Sequence, residues 1–281
     1  MSEATPPTLD ALRQEIDKID GKIHALLRAR AEVVTHVAKA KAASASASDG
    51  PAPAFRAARE ADVLRALAGR HDGPFPVPSL VRIWREIISG NTRIQQHVTV
   101  AVHRPDKGDG AGWDMARDHF GLGMSYLPMR RARDVVVAVR DGQAGIGVLP
   151  APGAEDGEDP WWPSLAADTD TLPRIVLKLP VLRSSQAPAA RPHVALILPG
   201  PEAEAADSHY LAIEAAQGVA RDRVAAALAE AGIRAEPLLS SPAAAGLYLA
   251  EVTSGWTGAI KNPAIRHVTP IGGYPAPIGI A

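Results

Sequence analysis

Apolar residues recur at Leu9, Leu12, Ile16, Ile19, Ile23, Leu26, Val33 and Val37, in steps of three and four that mark one helical face packed along a seam. The pattern predicts a single helix from residue 8 to about residue 43. Pro6 and Pro7 precede it, and Thr8 is placed to cap its first turn. Only Gly21 interrupts it, at a cost of about 1 kcal/mol relative to alanine. The alternating Ala and Ser of residues 43–53 predict a flexible low-complexity loop. A second helix is expected over about residues 55–70 with Ala57, Ala61, Leu64 and Leu67 inward, stopped by His71-Asp72-Gly73-Pro74. A third begins near Pro78, with a stripe of Leu80, Trp84, Ile87, Asn91, Ile94 and Gln95.

The period changes after His97. Residues 98–102 read as a strand, 113–120 and 132–140 as helices, 145–150 and 174–182 as strands, and 151–173 mostly as loop. Residues 184–192 suit a linker. Beyond it, 194–198, 210–215 and 247–253 read as strands, 221–231 as a helix stopped by Gly232, and 271–275 as turn-rich. The expected organisation is therefore multidomain, α followed by α/β: a helical unit over 1–97, an α/β lobe over 98–190 and a second α/β unit over 191–281.

A chain of 281 residues with 46% hydrophobic positions has material for two or three cores. Its net charge of −1 argues against a general nucleic-acid binder. The absence of cysteine excludes disulfides and thiolate metal sites, and the nine histidines show no metal-ligand spacing, so neither metal nor cofactor is expected. No apolar run approaches the ~20 residues that span a bilayer, and the first eight residues lack the pattern of a signal peptide, so a cytoplasmic location is expected. The first 97 residues are mildly basic, with 14 Lys and Arg against 11 Asp and Glu.

Arg30 carries the chemistry. The seam steps from Leu26 to Arg30 to Val33, putting a guanidinium where an apolar side chain belongs, and a buried guanidinium requires an anion. Either an internal partner such as Glu60 or Glu86 or a ligand could supply it. Lys41 lies eleven positions on, on roughly the same face and about 16 Å away. Arg13 is about 25 Å from Arg30 by the same rise and cannot share a ligand with it within one helix. It could do so from an antiparallel second copy, and a helix of about 50 Å is too long for two short companions to cover. Both points favour an intertwined homodimer. Glu60, with Arg59 beside it, falls between Ala57 and Leu64, while Asn91 and Gln95 extend the stripe of the third helix. Polar groups at such positions need partners or a ligand.

The series Leu12-Arg13-x-x-Ile16-Asp17-x-x-Asp20, Leu26-Leu27-x-x-Arg30, Lys39-Ala40-Lys41, Arg59-Glu60 and Gln95-Gln96 resembles the all-helical class of chorismate mutases over residues 9–97. The resemblance implies an intertwined helical dimer that rearranges chorismate to prephenate in phenylalanine and tyrosine biosynthesis. It implies that Arg30 and the partner subunit's Arg13 bind the two carboxylates. Lys41 and Gln95 would donate to the ether oxygen, and Glu60 would accept from the ring hydroxyl. Arg59 would orient substrate and Glu60, and Asn91 stands where the family often has Ser. Two departures are visible: the loop between Lys41 and Arg59 is about six residues longer than the compact family pattern, and Arg56 stands where some members have Asp.

The stretch His119-Phe120-Gly121, Asp134-Val135-Val136-x-Ala138-Val139 and Gly142-Gln143-Ala144-Gly145-Ile146-Gly147-Val148-Leu149-Pro150 resembles one lobe of a prephenate dehydratase. The family's Glu-Asn-Ser after that proline is Ala151-Pro152-Gly153 here. A second lobe and a Thr-Arg-Phe motif are not found, so the lobe is expected to be inactive. Residues 191–281 are similar to an ACT regulatory domain through Ile271-Gly272-Gly273-Tyr274-Pro275, without an effector motif. Against a chorismate mutase stand two alternatives: a non-catalytic regulatory protein that kept the fold, and a bifunctional mutase–dehydratase.

Overall fold

The structure is a computed structural model that describes residues 7–44, 55–107, 110–153, 156, 160–167, 171–184, 191–198, 206–242, 244–254, 256 and 258–280. The expected low-complexity loop lies, from residue 45 to 53, outside the described residues, as do 185–190 of the expected linker.

Three helices open the chain: α1 (Leu9–Ser44), α2 (Ala57–Arg70) and α3 (Val77–Gln95). The Thr8 hydroxyl accepts from the Ala11 amide at 3.3 Å, and Asp10 and Lys41 sit at the ends that the helix dipole favours. The expected inward set of α2 is buried, with Glu60 added to it. The face of α3 turned into the protein is one position away from the expected stripe. Val81, Arg85, Ile88, Ser89 and Thr92 are buried, whereas Leu80, Trp84, Ile87, Asn91 and Gln95 are half-buried and Ile94 is exposed.

The rest is built on one nine-stranded sheet. Its strands are β1 (Thr99–His103), β2 (Ser125–Met129), β3 (Ile146–Pro150), β4 (Arg174–Leu179), β6 (His193–Ile197), β7 (Ser208–Ala215), β8 (Arg234–Ser240), β9 (Leu247–Ser254) and β10 (Ile265–Tyr274), in the order β2-β1-β3-β6-β4-β10-β7-β9-β8. β5 (Leu182–Ser184) and β11 (Ile278–Ile280) form a separate parallel pair. β1, β2 and β3 are parallel, joined by α4 (Ala111–Phe120) and α5 (Ala132–Arg140), and α6 (Arg221–Glu230) links β7 to β8.

Three expectations are corrected. The boundary expected at residue 190 falls inside this sheet, because β6 inserts antiparallel between β3 and β4. Residues 174–182 do not form one strand but divide into β4 and β5 around Pro180. Residues 271–274 are the end of β10 rather than a turn. Gly272 lies opposite Ile175 in the parallel contact of β10 with β4, where a Cβ would stand 2.3 Å from the Ile175 carbonyl oxygen, so close backbone approach explains the glycine.

The core lies on both faces of the sheet. On one face α5, Trp161, Trp162 and Leu165 pack with Leu149, Leu196, Tyr210 and Ile271. On the other, Phe55, Ala57, Leu64, Val81 and Ile88 of the helical unit share a single cluster with Val100, Ala116, Phe120, Met124, Ile146 and Leu177. α2 and α3 therefore have no core of their own. Arg65 of α2 adds a polar tie, donating to the Asp207 carboxylate at 2.8 Å and the Ala276 carbonyl at 2.7 Å.

α1 departs from this packing. Every residue from Leu9 to Ala29 is exposed, and with them every apolar residue of the predicted seam, Leu26 at 70%. α1 packs on α3, and its less exposed residues all lie in its C-terminal part. Among the described residues no helix is long and apolar enough to cross a membrane, and no three metal-ligating side chains gather.

Candidate active site between the first and third helices

Where α1 meets α3, its less exposed residues are Arg30, Ala31, Val34, Ala38 and Lys41, a face of steps three and four. The half-buried face of α3 carries Trp84, Ile87, Asn91 and Gln95. Four of the seven expected site residues, Arg30, Lys41, Asn91 and Gln95, thus sit on half-buried faces of two helices in contact. The two amides are held by their own helix: Asn91 Nδ2 donates to the Ile87 carbonyl at 2.5 Å, and Gln95 Nε2 to the Asn91 carbonyl at 3.3 Å. The second bond is long for its type and easily exchanged for another acceptor.

Arg30 is the electrostatic anomaly. Its Nη1 is buried and has no hydrogen-bond partner among the described residues. The two internal acids that could have matched it are engaged elsewhere. Glu60 accepts from Arg85 Nη1 at 2.7 Å, and Glu86 accepts from the Leu122 amide at 3.2 Å. A guanidinium with a desolvated and unsatisfied N–H is costly, and an anion offering a second oxygen would satisfy it.

The other expected residues lie elsewhere. Arg13 is exposed on the free half of α1 and pairs with Asp10 at 3.4 Å, a surface bridge of little consequence. Arg59 is exposed, while its neighbour Glu60 is buried about 100° round the helix. Arg56 occupies the N-cap position of α2 with extended backbone, its carbonyl accepting from the Glu60 amide at 3.0 Å.

Sequence reasoning missed Arg85. It is 6% exposed, donates from Nη1 to Glu60, and sends Nε and Nη2 to the His119 carbonyl at 2.8 and 2.6 Å. Burial pushes its pKa down and the Glu60 carboxylate pulls it back, as expected of a desolvated ion pair. The legible signal was a run of polar residues, Arg85, Ser89 and Thr92, at steps of four and three beside an apolar stripe. Next to this pair the His119 imidazole is buried, with Nε2 lacking a partner among the described residues. Burial, and then Arg85, holds it well below the usual imidazole range.

Residues 12–96 match the family model for chorismate mutase type II. The chain opens with a chorismate mutase type II domain. Among curated proteins it is similar to the bifunctional chorismate mutase/prephenate dehydratases of Pseudomonas aeruginosa, 32% identical over 151 residues, and Aquifex aeolicus, 32% identical over 153 residues. Each similarity covers 53% of this chain and 40% of the relative, so the chain spans about two fifths of their length. The aligned stretches are longer than the mutase domain and continue into the α/β part, a prephenate dehydratase-like region. Among solved structures, the prephenate dehydratase of Streptococcus mutans is similar over 63% of this chain and 97% of its own, with 15% identity and a TM-score of 0.44.

Proposed function

We propose that the chain rearranges chorismate to prephenate in a site between α1 and α3, completed by the first helix of a second copy. The reaction is an intramolecular [3,3] shift: the ether C–O bond breaks as the new C–C bond forms, and no nucleophile or proton transfer is required. What a protein can contribute is restraint of the compact conformer and stabilisation of the negative charge that grows on the ether oxygen. Arg30 would clamp one substrate carboxylate and the partner subunit's Arg13 the other. Lys41 and Gln95 would donate to the ether oxygen, and Gln95 would give up its long intrahelical bond to do so. By the resemblance Glu60 would accept from the ring hydroxyl, with Arg59 and Asn91 at the margin; here its carboxylate is held by Arg85 on the side of α3 that meets the α/β part.

The observation that carries this reading is the buried, unpartnered Nη1 of Arg30 inside the matched domain. The exposed seam of α1 supports the second copy, since some twenty residues of helix leave an apolar stripe in water that an antiparallel copy would cover.

The test is turnover followed by loss of chorismate absorbance, with subunit complementation. Arg13→Ala and Arg30→Ala should each be inactive and still dimeric. After subunit exchange, half the dimers are mixed and one site in each is intact, so about a quarter of wild-type activity should return. A wild-type chain that leaves chorismate unchanged refutes the activity. Active wild type with no recovery on mixing refutes the shared site.

A further inference from the structure

The geometry points to Arg85 as a positioning residue for the mutase site: anchored on the C-terminal end of α4, it holds the Glu60 carboxylate, so the α/β part governs the activity of the helical domain. The inference rests on the role proposed above for Glu60.

The last carbonyls of a helix have no intrahelical donor and carry partial negative charge. At the end of α4 those groups are met from α3. Arg85 donates twice to the His119 carbonyl, and Ser89 Oγ donates to the Phe120 carbonyl. Glu86 accepts from the Leu122 amide just beyond. Gly121 makes the turn with φ +83°, and a Cβ there would lie 2.7 Å from both Glu86 Oε2 and Ser89 Oγ. The Phe55 and Phe120 rings meet edge to face at 5.4 Å, bringing the start of α2 to the same point. α3 is thus registered against α4 by several directional bonds and by a turn in which a side chain would be strained and would displace Glu86 or Ser89.

Arg85 carries that registration to Glu60. Its fork is planar and fixed, so with two N–H groups on one carbonyl the direction of Nη1 is set, and with it the place of Glu60 Oε2. The pair is buried at both ends, with side-chain exposures of 7% and 11%. Deleting the cation would leave a buried carboxylate uncompensated. Lysine would restore charge without the fork.

The experiment is a double-mutant cycle on the full chain, reading kcat and KM for chorismate in wild type, Arg85→Gln, Glu60→Gln and the double variant, with Arg85→Lys and Arg82→Ala beside them. Arg85→Gln should lower kcat by about tenfold or more with a smaller change in KM, as expected when alignment rather than uniform binding is lost. The same substitution should cost little further in the Glu60→Gln background, because residues that act through one another are not additive. Arg85→Lys should recover part of kcat. Arg82→Ala breaks the exposed bridge to Asp118 in the same α3–α4 contact without touching Glu60, and should stay within about twofold of wild type. Losses that multiply in the double variant, or wild-type kcat in Arg85→Gln, overturn the inference. If Arg85→Gln shows no cooperative melt, Arg85→Lys enters the cycle in its place, with the same criterion. A wild-type chain without turnover refutes the underlying reading instead, and is told apart because no variant is then needed to see it.

Discussion

Replacing Arg30 by leucine should make the protein more stable and abolish turnover. Leucine keeps an apolar stem against α3 and removes a guanidinium whose Nη1 is buried without a partner among the described residues. An unsatisfied buried donor costs about 1–3 kcal/mol, and relieving part of that predicts a gain of about 1–2 kcal/mol. For a chain of this size each kcal/mol shifts the melting midpoint by roughly 2–4 °C. The competing account, in which Arg30 belongs to an internal ion pair, predicts the opposite sign, a loss of about 3–5 kcal/mol as the stranded carboxylate is left buried. The assay is calorimetry of both proteins, without ligand and with prephenate. At 100 times Kd a ligand bound only by the native state adds about 2.7 kcal/mol, which wild type should show and Arg30→Leu should lack. A fall in the midpoint of the unliganded variant, or equal stabilisation of both proteins by prephenate, would refute the reasoning.

Two further outcomes follow from the shared core and from His119. Leu64 is fully buried in the cluster that joins α2 and α3 to the α/β part, so Leu64→Ala should cost about 2–5 kcal/mol. Urea unfolding followed by tryptophan fluorescence and by far-ultraviolet circular dichroism should then shift as one transition; an α/β transition left in place while the helices melt would contradict a common core. Burial, and then Arg85, keeps His119 neutral well below the usual imidazole range. The unfolded chain therefore binds the proton that the folded one refuses, so stability is complete above about pH 6.5 and falls below it by up to about 1.4 kcal/mol per pH unit. His119→Leu should flatten the stability curve between pH 6.5 and 5; an unchanged slope would place the proton uptake on other groups, such as His103 and His209, which burial also shifts down.

The parts of the fold that the sequence made legible are those with local periodicity. The bounds of α1, α5 and β9 and the buried set of α2 follow from spacing alone. The strands it concealed include β5, β11 and the first part of β10, and also β2 and β8, which are the two edges of the large sheet and each contain a proline, Pro128 or Pro237. Edge strands tolerate proline and lack a clean inward face, which removes both usual signals. The end of β10 looked like a turn because Gly272-Gly273 is usually turn chemistry; here the glycine answers the close approach of Ile175. The insertion of β6 between β3 and β4 has no local signature at all, since it pairs strands separated by loops.

The candidate site divides along the same line. Arg30 was legible as a cation among apolar neighbours, but the seam that singled it out is exposed at Leu26, Val33 and Val37, and Arg30 is half-buried with Ala31, Val34 and Ala38 instead. Glu60 was equally anomalous, but its partner could not be read, because Arg85 and Arg30 are equivalent cations until the helices are placed. What separates them is that α3 touches both α1 and the α/β part. Its buried residues Val81, Arg85, Ile88, Ser89 and Thr92 meet the sheet and α4, and half-buried Trp84 packs against the same cluster; Ile87, Asn91 and Gln95 are half-buried on the side next to that face. A single-stripe reading must choose one side, and it chose the half-buried one. The consequence reaches beyond register. A helix that touches α1 and also packs on the α/β part ties the placement of one to the placement of the other. The matched domain of residues 12–96 is therefore a unit of sequence whose inner wall is supplied by the remainder of the chain.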